Sequence, residues 1–182
     1  MTTLIAILRG INVSGHNKIQ MTELRTLFEK LKFKNVATYI QSGNVVFTVD
    51  KATDNESLSK RIEQEIYRVH NLKVPVIVRT VEEMQNIIVI NPFLKNKKIN
   101  IERLHVTFLA SYPEKPFLDA MKNVDHSPDQ FVIMGKEVYL HCPNGYGITK
   151  LSNNFFENKL KVGATTRNWK TVNALVSLGS KS

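Results

Sequence analysis

The chain has 182 residues, enough for one large domain or two small ones, and its 42% hydrophobic and 23% charged residues are typical of a soluble globular protein. It contains no apolar run near the roughly 20 residues that span a bilayer, and the opening stretch MTTLIAILRGINVSG lacks the features of a signal peptide, so we expect a cytoplasmic protein. The single cysteine, Cys142, excludes an internal disulfide and a multi-cysteine zinc site.

The net charge of +9, from 25 basic and 16 acidic residues, raises the question of a polyanionic partner. The excess is spread evenly, with +5 in residues 1–80 and +4 in residues 81–182, so neither half is a basic arm. The only dense basic run, Lys95–Lys98, is typical of a solvated loop.

The first half predicts the order strand, helix, strand, strand, helix, strand. Thr3–Arg9 has a strand pattern, and a helix follows with apolar residues spaced as Leu24, Leu27, Phe28 and Leu31. Two strands, Val36–Ile40 and Val45–Val49, flank a turn at Ser42, Gly43 and Asn44. Asp54 is placed to cap a second helix, which carries Leu58, Ile62, Ile66 and Val69, and VPVIVRT closes this half as a fourth strand.

The second half repeats this order after a short linking helix with Val81, Met84, Ile87 and Ile88. It has a strand at Arg103–Leu109, a helix with Phe117, Met121 and Val124, a hairpin turning at Gly135, a helix at Leu151–Leu160, a strand at Val162–Thr166 and a final helix with Trp169, Val172 and Val176. We therefore predict an α+β protein with two tandem ferredoxin-like (βαββαβ, α/β-plait) units, a linking helix and a C-terminal helix. The predicted domains are 1–80 and 81–182.

Strand alternation predicts how the two sheets are covered. Both alternating sets of Leu4–Leu8 are apolar, so the first sheet should be buried on both faces. In the second sheet, we expect one face to carry Leu104, Val106 and Phe108 with Val138 and Leu140, and the other to carry Arg103, His105 and Thr107 with Tyr139 and His141.

The stretch RGINVSGHNK follows the first strand and has the glycine spacing of a Walker loop. Such a loop requires lysine and a hydroxyl residue after its second glycine, whereas His16 and Asn17 stand there, so a nucleotide hydrolase of that type is not expected. The remaining alternatives are a connecting loop and a weaker anion site, in which Asn12, Ser14, Asn17 and Lys18 present donors near a helix.

Topology brings this loop to the same edge of the sheet as the turn between strands two and three. We expect Arg9, Gly10, Asn12 and Lys18 to lie near Gln41, Ser42, Gly43 and Asn44, with Lys73 within reach and no carboxylate among them. Convergent donors of this kind suit a phosphate, a carboxylate or a nucleic-acid backbone. The alternative for QSGN alone is a hairpin turn.

A second cluster is predicted at one edge of the other half, from Tyr146, Lys150, Arg167 and Asn168. In the alternative interpretation Thr166 caps the last helix and Trp169 anchors it in the core.

We predict no metal and no cofactor. Among the five histidines, His105 and His141 are expected to be neighbours on adjacent strands, but no third ligand is evident. No recognisable motif for a serine, histidine and carboxylate triad is present either.

Four blocks, LRGINVSGHNKIQMTELR, YIQSGNVVF, GYGITKLSNNFFENKL and ATTRNWKTV, resemble the bacterial domain-of-unknown-function 1697 family over essentially the whole chain. The resemblance implies a pair of ferredoxin-like units and no established activity. This chain has Ser14 and His16 where the commoner form, GINVGGKNK, has glycine and lysine. Anion binding that needs this lysine should therefore be weaker here or depend on pH.

The leading hypothesis is a binding module for a phosphorylated small molecule or nucleic acid at the Arg9–Lys18 loop and the Gln41–Asn44 turn, with no membrane partner. One alternative is a metal-independent enzyme acting on such a ligand, and the other is a protein-interaction scaffold with no ligand. The sequence does not predict the oligomeric state.

Overall fold

The structure is a computed structural model that describes residues 1–13, 15–51 and 54–181. Ser14, one of the predicted loop donors, lies outside the described residues. The fold is mixed α+β, with two four-stranded antiparallel sheets and, within the described ranges, six α-helices. None of the described helices has the length and apolar character to cross a membrane.

The first sheet has the strand order β2-β3-β1-β4. Its elements are β1 (Thr2–Leu8), α1 (Met21–Lys30), β2 (Lys34–Tyr39), β3 (Asn44–Val49), α2 (Asn55–His70) and β4 (Val76–Thr80), followed by α3 (Val81–Val89). Asp54 caps α2 as predicted, because its Oδ2 accepts a hydrogen bond of 2.8 Å from the backbone N–H of Ser57.

The second sheet repeats that order as β6-β7-β5-β8. Its elements are β5 (Leu104–Leu109), α4 (Lys115–Met121), β6 (Gln130–Met134), β7 (Glu137–His141), α5 (Asn153–Leu160) and β8 (Ala164–Asn168), followed by α6 (Trp169–Gly179). Three short 3₁₀ turns lie at Pro92–Lys95, Ile101–Arg103 and Tyr146–Ile148.

Contacts between residues divide the chain into two compact units. The first contains residues 1–86 and 174–182, and the second contains residues 87–173. The division into domains at residue 80 stays a prediction about which segments fold independently.

Both faces of the first sheet are buried, as the apolar run Leu4–Leu8 predicts. On the helix face, Leu4, Ala6 and Leu8 join a core in which the Phe28 and Phe47 rings meet edge to face at 5.2 Å. On the other face, Ile5 and Ile7 are also fully buried. The end of α6 lies on this second face, since a Cβ atom on Gly179 would be 3.6 Å from Ile5 Cδ1.

The predicted faces of the second sheet are wrong. In the ladder, Val106 pairs with Tyr139 and Thr107 pairs with Val138, and paired residues share a face. Leu104, Val106 and Phe108 therefore share a face with Tyr139 and His141, and His105 and Thr107 share the other with Val138 and Leu140. Alternation defines two sets of side chains on each strand, but the register between β5 and β7 decides which of these sets share a face.

This register also separates His105 from His141. His105 pairs with Leu140, and His141 pairs with Leu104, so the two imidazoles are on opposite faces of the sheet. The prediction that they are neighbours is wrong for the same reason.

Candidate functional site

The glycine-containing loop and the turn after β2 lie side by side at one edge of the first sheet. Asn12 Nδ2 donates hydrogen bonds of 2.9 Å to the backbone oxygens of Gln41 and Ile19, and Asn12 Oδ1 accepts one of 3.0 Å from the Ile19 N–H. The Leu8 N–H also donates to the Gly43 carbonyl at 2.8 Å. The Asn12 amide thus joins the two segments.

Two asparagines give the loop its shape. Asn12 and Asn17 have positive φ angles of 56° and 47°, in the left-handed region that asparagine tolerates better than most residues. Asn17 Nδ2 donates to the Gly10 carbonyl at 3.1 Å, and the Asn12 N–H donates to the Asn17 carbonyl, also at 3.1 Å. The loop is therefore closed by one backbone hydrogen bond and by the side chain of Asn17.

The turn is held in the same way by Asn44. This residue is fully buried, and its Nδ2 donates to the Tyr39 carbonyl and to Ser42 Oγ, both at 3.1 Å. These bonds assign Asn44 a structural role in the turn, and a role in ligand binding stays a prediction.

The loop and the turn border a recess of about 460 Å³. Among the predicted residues, Asn12, Lys18 and Gln41 line it, and Gly15, Ile19, Gln20 and Glu23 complete the described lining. Arg9, Gly10, Ser42, Gly43 and Asn44 are not part of this described lining, and neither is Lys73. The structure thus gathers three of the eight predicted ligand residues around one cavity.

The electrostatics of this recess differ from the prediction. Lys18 is exposed and has no ion-pair partner among the described residues, so its ammonium is available to a ligand. Glu23 also lines the recess, and its Oε2 accepts a hydrogen bond of 3.3 Å from the Gln20 N–H at the start of α1. The expectation of no carboxylate is wrong, because the capping box of α1 places one there.

The strand pairing places two members of the second predicted cluster, Arg167 and Asn168, on opposite faces of the sheet. Asn168 lies on the face of His105, where the His105 ring stacks on Tyr146 at 4.7 Å. Arg167 is on the opposite face, because it pairs with Val106. It is buried and donates from Nη1 to the Thr166 carbonyl at 2.8 Å, and burial lowers its pKa to about 10.

The last strand also differs from the prediction at its C-terminal end. Thr166 does not cap α6; its hydroxyl lies 2.7 Å from the hydroxyl of Thr107 and donates to Asn153 Oδ1 at 2.6 Å. The cap is Asn168, whose Oδ1 accepts a hydrogen bond of 2.8 Å from the Thr171 N–H. β8 is displaced by two residues from the predicted Val162–Thr166, which moves the start of the helix with it.

A larger recess in the second unit has no counterpart in the sequence predictions. It measures about 720 Å³ and lies along β6, with α4 and the segment after it on one side and Phe93 on the other. The predicted Lys150 lines an adjacent cavity of about 410 Å³, which shares Asp125, His126, Ser127 and Asp129 with the larger recess. No sequence motif indicates the larger recess, because its walls come from separate segments of the chain.

Metal-ligating side chains do not gather in the described part of the chain, where no three His, Cys, Asp or Glu residues form a group that could hold an ion. Cys142 is buried, and burial raises the pKa of its thiol to about 11. This thiol therefore stays protonated at neutral pH.

The comparisons with known proteins place the chain in a family. A family model described as "Protein of unknown function (DUF1697)" matches residues 1–139. A solved structure described as conserved bacterial protein SP0830 from Streptococcus pneumoniae is similar over 98% of both chains, with a TM-score of 0.69 and 21% sequence identity. No curated protein matches the chain. At this identity the structural likeness shows the fold alone.

Proposed function

Since the chain belongs to the DUF1697 family, whose function is unknown, we propose from its own geometry that it is a binding module for a small phosphorylated ligand. The ligand occupies the recess between the Arg9–Lys18 loop and the Gln41–Asn44 turn. The observation that carries the proposal is the hydrogen bond of 2.9 Å between Asn12 and the Gln41 carbonyl, which holds the two segments against one cavity next to an unpaired lysine.

The charges at the recess support a small ligand in preference to a long nucleic acid. Lys18 supplies one cation, whereas Glu23 repels a second phosphate brought close to the start of α1. A nucleic acid normally uses several phosphate contacts, each of which increases the salt dependence of binding. A single phosphoryl group near Lys18 fits this balance better.

We also propose that each four-stranded sheet with its helices is a ferredoxin-like unit. The strand orders β2-β3-β1-β4 and β6-β7-β5-β8 support this, because each places the first strand of its unit between the third and the fourth. The cytoplasmic location and the bacterial source stay predictions.

The experiment measures binding of inorganic phosphate, pyrophosphate and a nucleoside monophosphate by titration calorimetry, with short single-stranded RNA as a polyanion probe. Lys18→Gln should weaken binding about five- to tenfold, and Glu23→Gln should tighten it about two- to fivefold, because the two changes alter the local charge in opposite directions. Lys159→Gln, an exposed lysine of α5 in the other unit, is the matched control and should change nothing.

Equal effects of Lys18→Gln and Lys159→Gln would overturn the site. Binding of RNA alone, with a steep salt dependence, would favour the polyanion version of the hypothesis. Turnover of a phosphoester that is lost in Lys18→Gln would favour the enzyme alternative, and no response to any probe would favour the scaffold.

A further inference from the structure

The edge strand β6 of the second sheet lacks the charges, prolines and register shifts that often protect a strand edge. Its sequence, Gln-Phe-Val-Ile-Met, has no charge and no proline, and Val132 and Met134 are 36% and 37% exposed. The edge strand β2 of the first sheet, in contrast, carries Lys34, a positive φ at Asn35 and a register shift. Charges and irregularities of that kind prevent pairing between molecules, so β6 is the open edge of the two.

The turn that follows β6 determines which of its backbone groups point outward. Gly135 and Lys136 form a two-residue turn, so Met134 and Glu137 exchange backbone hydrogen bonds. Because the direction of the backbone groups alternates along a strand, the N–H and C=O of Val132 also point toward β7. The N–H and C=O groups of Phe131 and Ile133 then face away from the sheet. They have no backbone partner among the described residues.

The recess of about 720 Å³ provides space beside these groups. Leu118 and Met121 form its wall on the face where Ile133 packs into the core. Phe93 forms the wall on the other face, where its ring lies 5.9 Å from that of His141. The recess therefore follows the open edge of β6 and leaves room for one more strand.

We propose that the occupant is β6 of a second copy of this chain, paired antiparallel about a two-fold axis through Val132. In this register Phe131 lies opposite Ile133 of the second copy, and the two outward pairs exchange four backbone hydrogen bonds. The charges are complementary too, because Asp129 comes opposite Gly135 of the second copy and next to its Lys136. The strand is thus self-complementary in backbone hydrogen bonding, apolar side chains and charge.

The test is sedimentation velocity of the full chain over a wide concentration range, with variants at the axis. Val132 lies opposite itself in the proposed dimer, so Val132→Lys and Val132→Glu each bring two like charges together. Each variant alone should raise the dimer dissociation constant about tenfold or more, and an equimolar mixture of the two should restore the dimer. Val69→Lys, at an exposed valine of α2, is the control and should leave the dimer unchanged.

The dimer is restored in the mixture only if residue 132 of one copy lies opposite residue 132 of the other. A different partner or another register does not bring these two residues together. Circular dichroism of each variant checks that the fold is intact. A wild-type chain that stays monomeric up to its solubility limit would overturn the proposal. So would a dimer unaffected by Val132→Lys, or a mixture of folded variants that stays monomeric.

Discussion

At the scale of single residues, the asparagine side chains at the edge of the first sheet mainly stabilise the backbone of the loop and the turn. Three side-chain amides donate hydrogen bonds to backbone carbonyls of the loop and the turn, those of Asn12, Asn17 and Asn44. Their positions are therefore explained by loop geometry, whereas Lys18 is exposed and has no ion-pair partner among the described residues. Gly43 is part of the same construction, because its φ of +79° and its packing both exclude a side chain.

Gly43→Ala should lower the free energy of unfolding by about 2–4 kcal/mol, because it combines the cost of a positive φ with overpacking. A Cβ atom there would be 2.6 Å from Ile11 Cδ1 and 3.0 Å from Leu8 Cβ. Gly15→Ala is the matched control, since Gly15 has the same φ of +79° and its nearest neighbour would be Lys18 Cε at 4.0 Å. Urea denaturation of both variants measures the difference, and equal losses would show that packing at Gly43 contributes nothing.

His105 should make the stability of the protein depend on pH. Burial lowers its pKa below the ordinary value, so folding favours the neutral imidazole. The contribution of His105 to the free energy of unfolding is therefore fully present above the imidazole pKa of the unfolded chain, about 6.5, and decreases as the pH falls below that value. The free energy of unfolding, measured by urea denaturation at several pH values, should fall less steeply on acidification in His105→Gln than in the wild type.

His105→Gln also loses the stacking on Tyr146, which lowers stability by a similar amount at every pH. The difference in slope is therefore the decisive readout. Parallel profiles for the wild type and His105→Gln would contradict a role of His105 protonation.

At the scale of elements, strand register and helix caps decide features that the apolar pattern leaves open. The register between β5 and β7 places His105 and His141 on opposite faces of the sheet. The end of β8 decides where α6 begins, and the capping residue is Asn168 and not Thr166. Both corrections have the same cause, a shift along the chain that hydrophobic periodicity alone does not detect.

Asn168→Ala should therefore destabilise the protein by about 1 kcal/mol, the usual cost of losing an N-cap acceptor. Asn168→Asp keeps an acceptor at this position and should stay within a few tenths of a kcal/mol of the wild type. Thermal unfolding of the two variants measures the contrast. Equal melting temperatures would show that the bond from the Thr171 N–H contributes no stability.

At the scale of the whole molecule, the chain returns to its first unit at the end. Residues 174–182 belong with residues 1–86, and Gly179 in α6 approaches Val81 and Ile5. The packing of the first unit therefore requires a small residue at position 179, although this position is distant in sequence from residues 1–86.

Gly179→Ala should destabilise the first unit by about 1–3 kcal/mol, since the new Cβ would lie 2.6 Å from Val81 Cγ2. Amide hydrogen exchange should then increase in β1 and the first turns of α3. Gly147→Ala is the control, because no atom lies within 4 Å of its added Cβ. Unchanged protection of β1 in Gly179→Ala would contradict this packing.

The sequence by itself determined the order of strands and helices, the burial of both faces of the first sheet and the meeting of the loop with the turn. The first two follow from apolar periodicity, a local property of the chain, and the third follows from the strand order of a split βαβ unit. Tertiary structure decided the strand register of the second sheet, the carboxylate of Glu23 in the recess and the open edge of β6. Each of these depends on a turn, a cap or a long-range approach, where a shift of one or two residues changes which side chains meet.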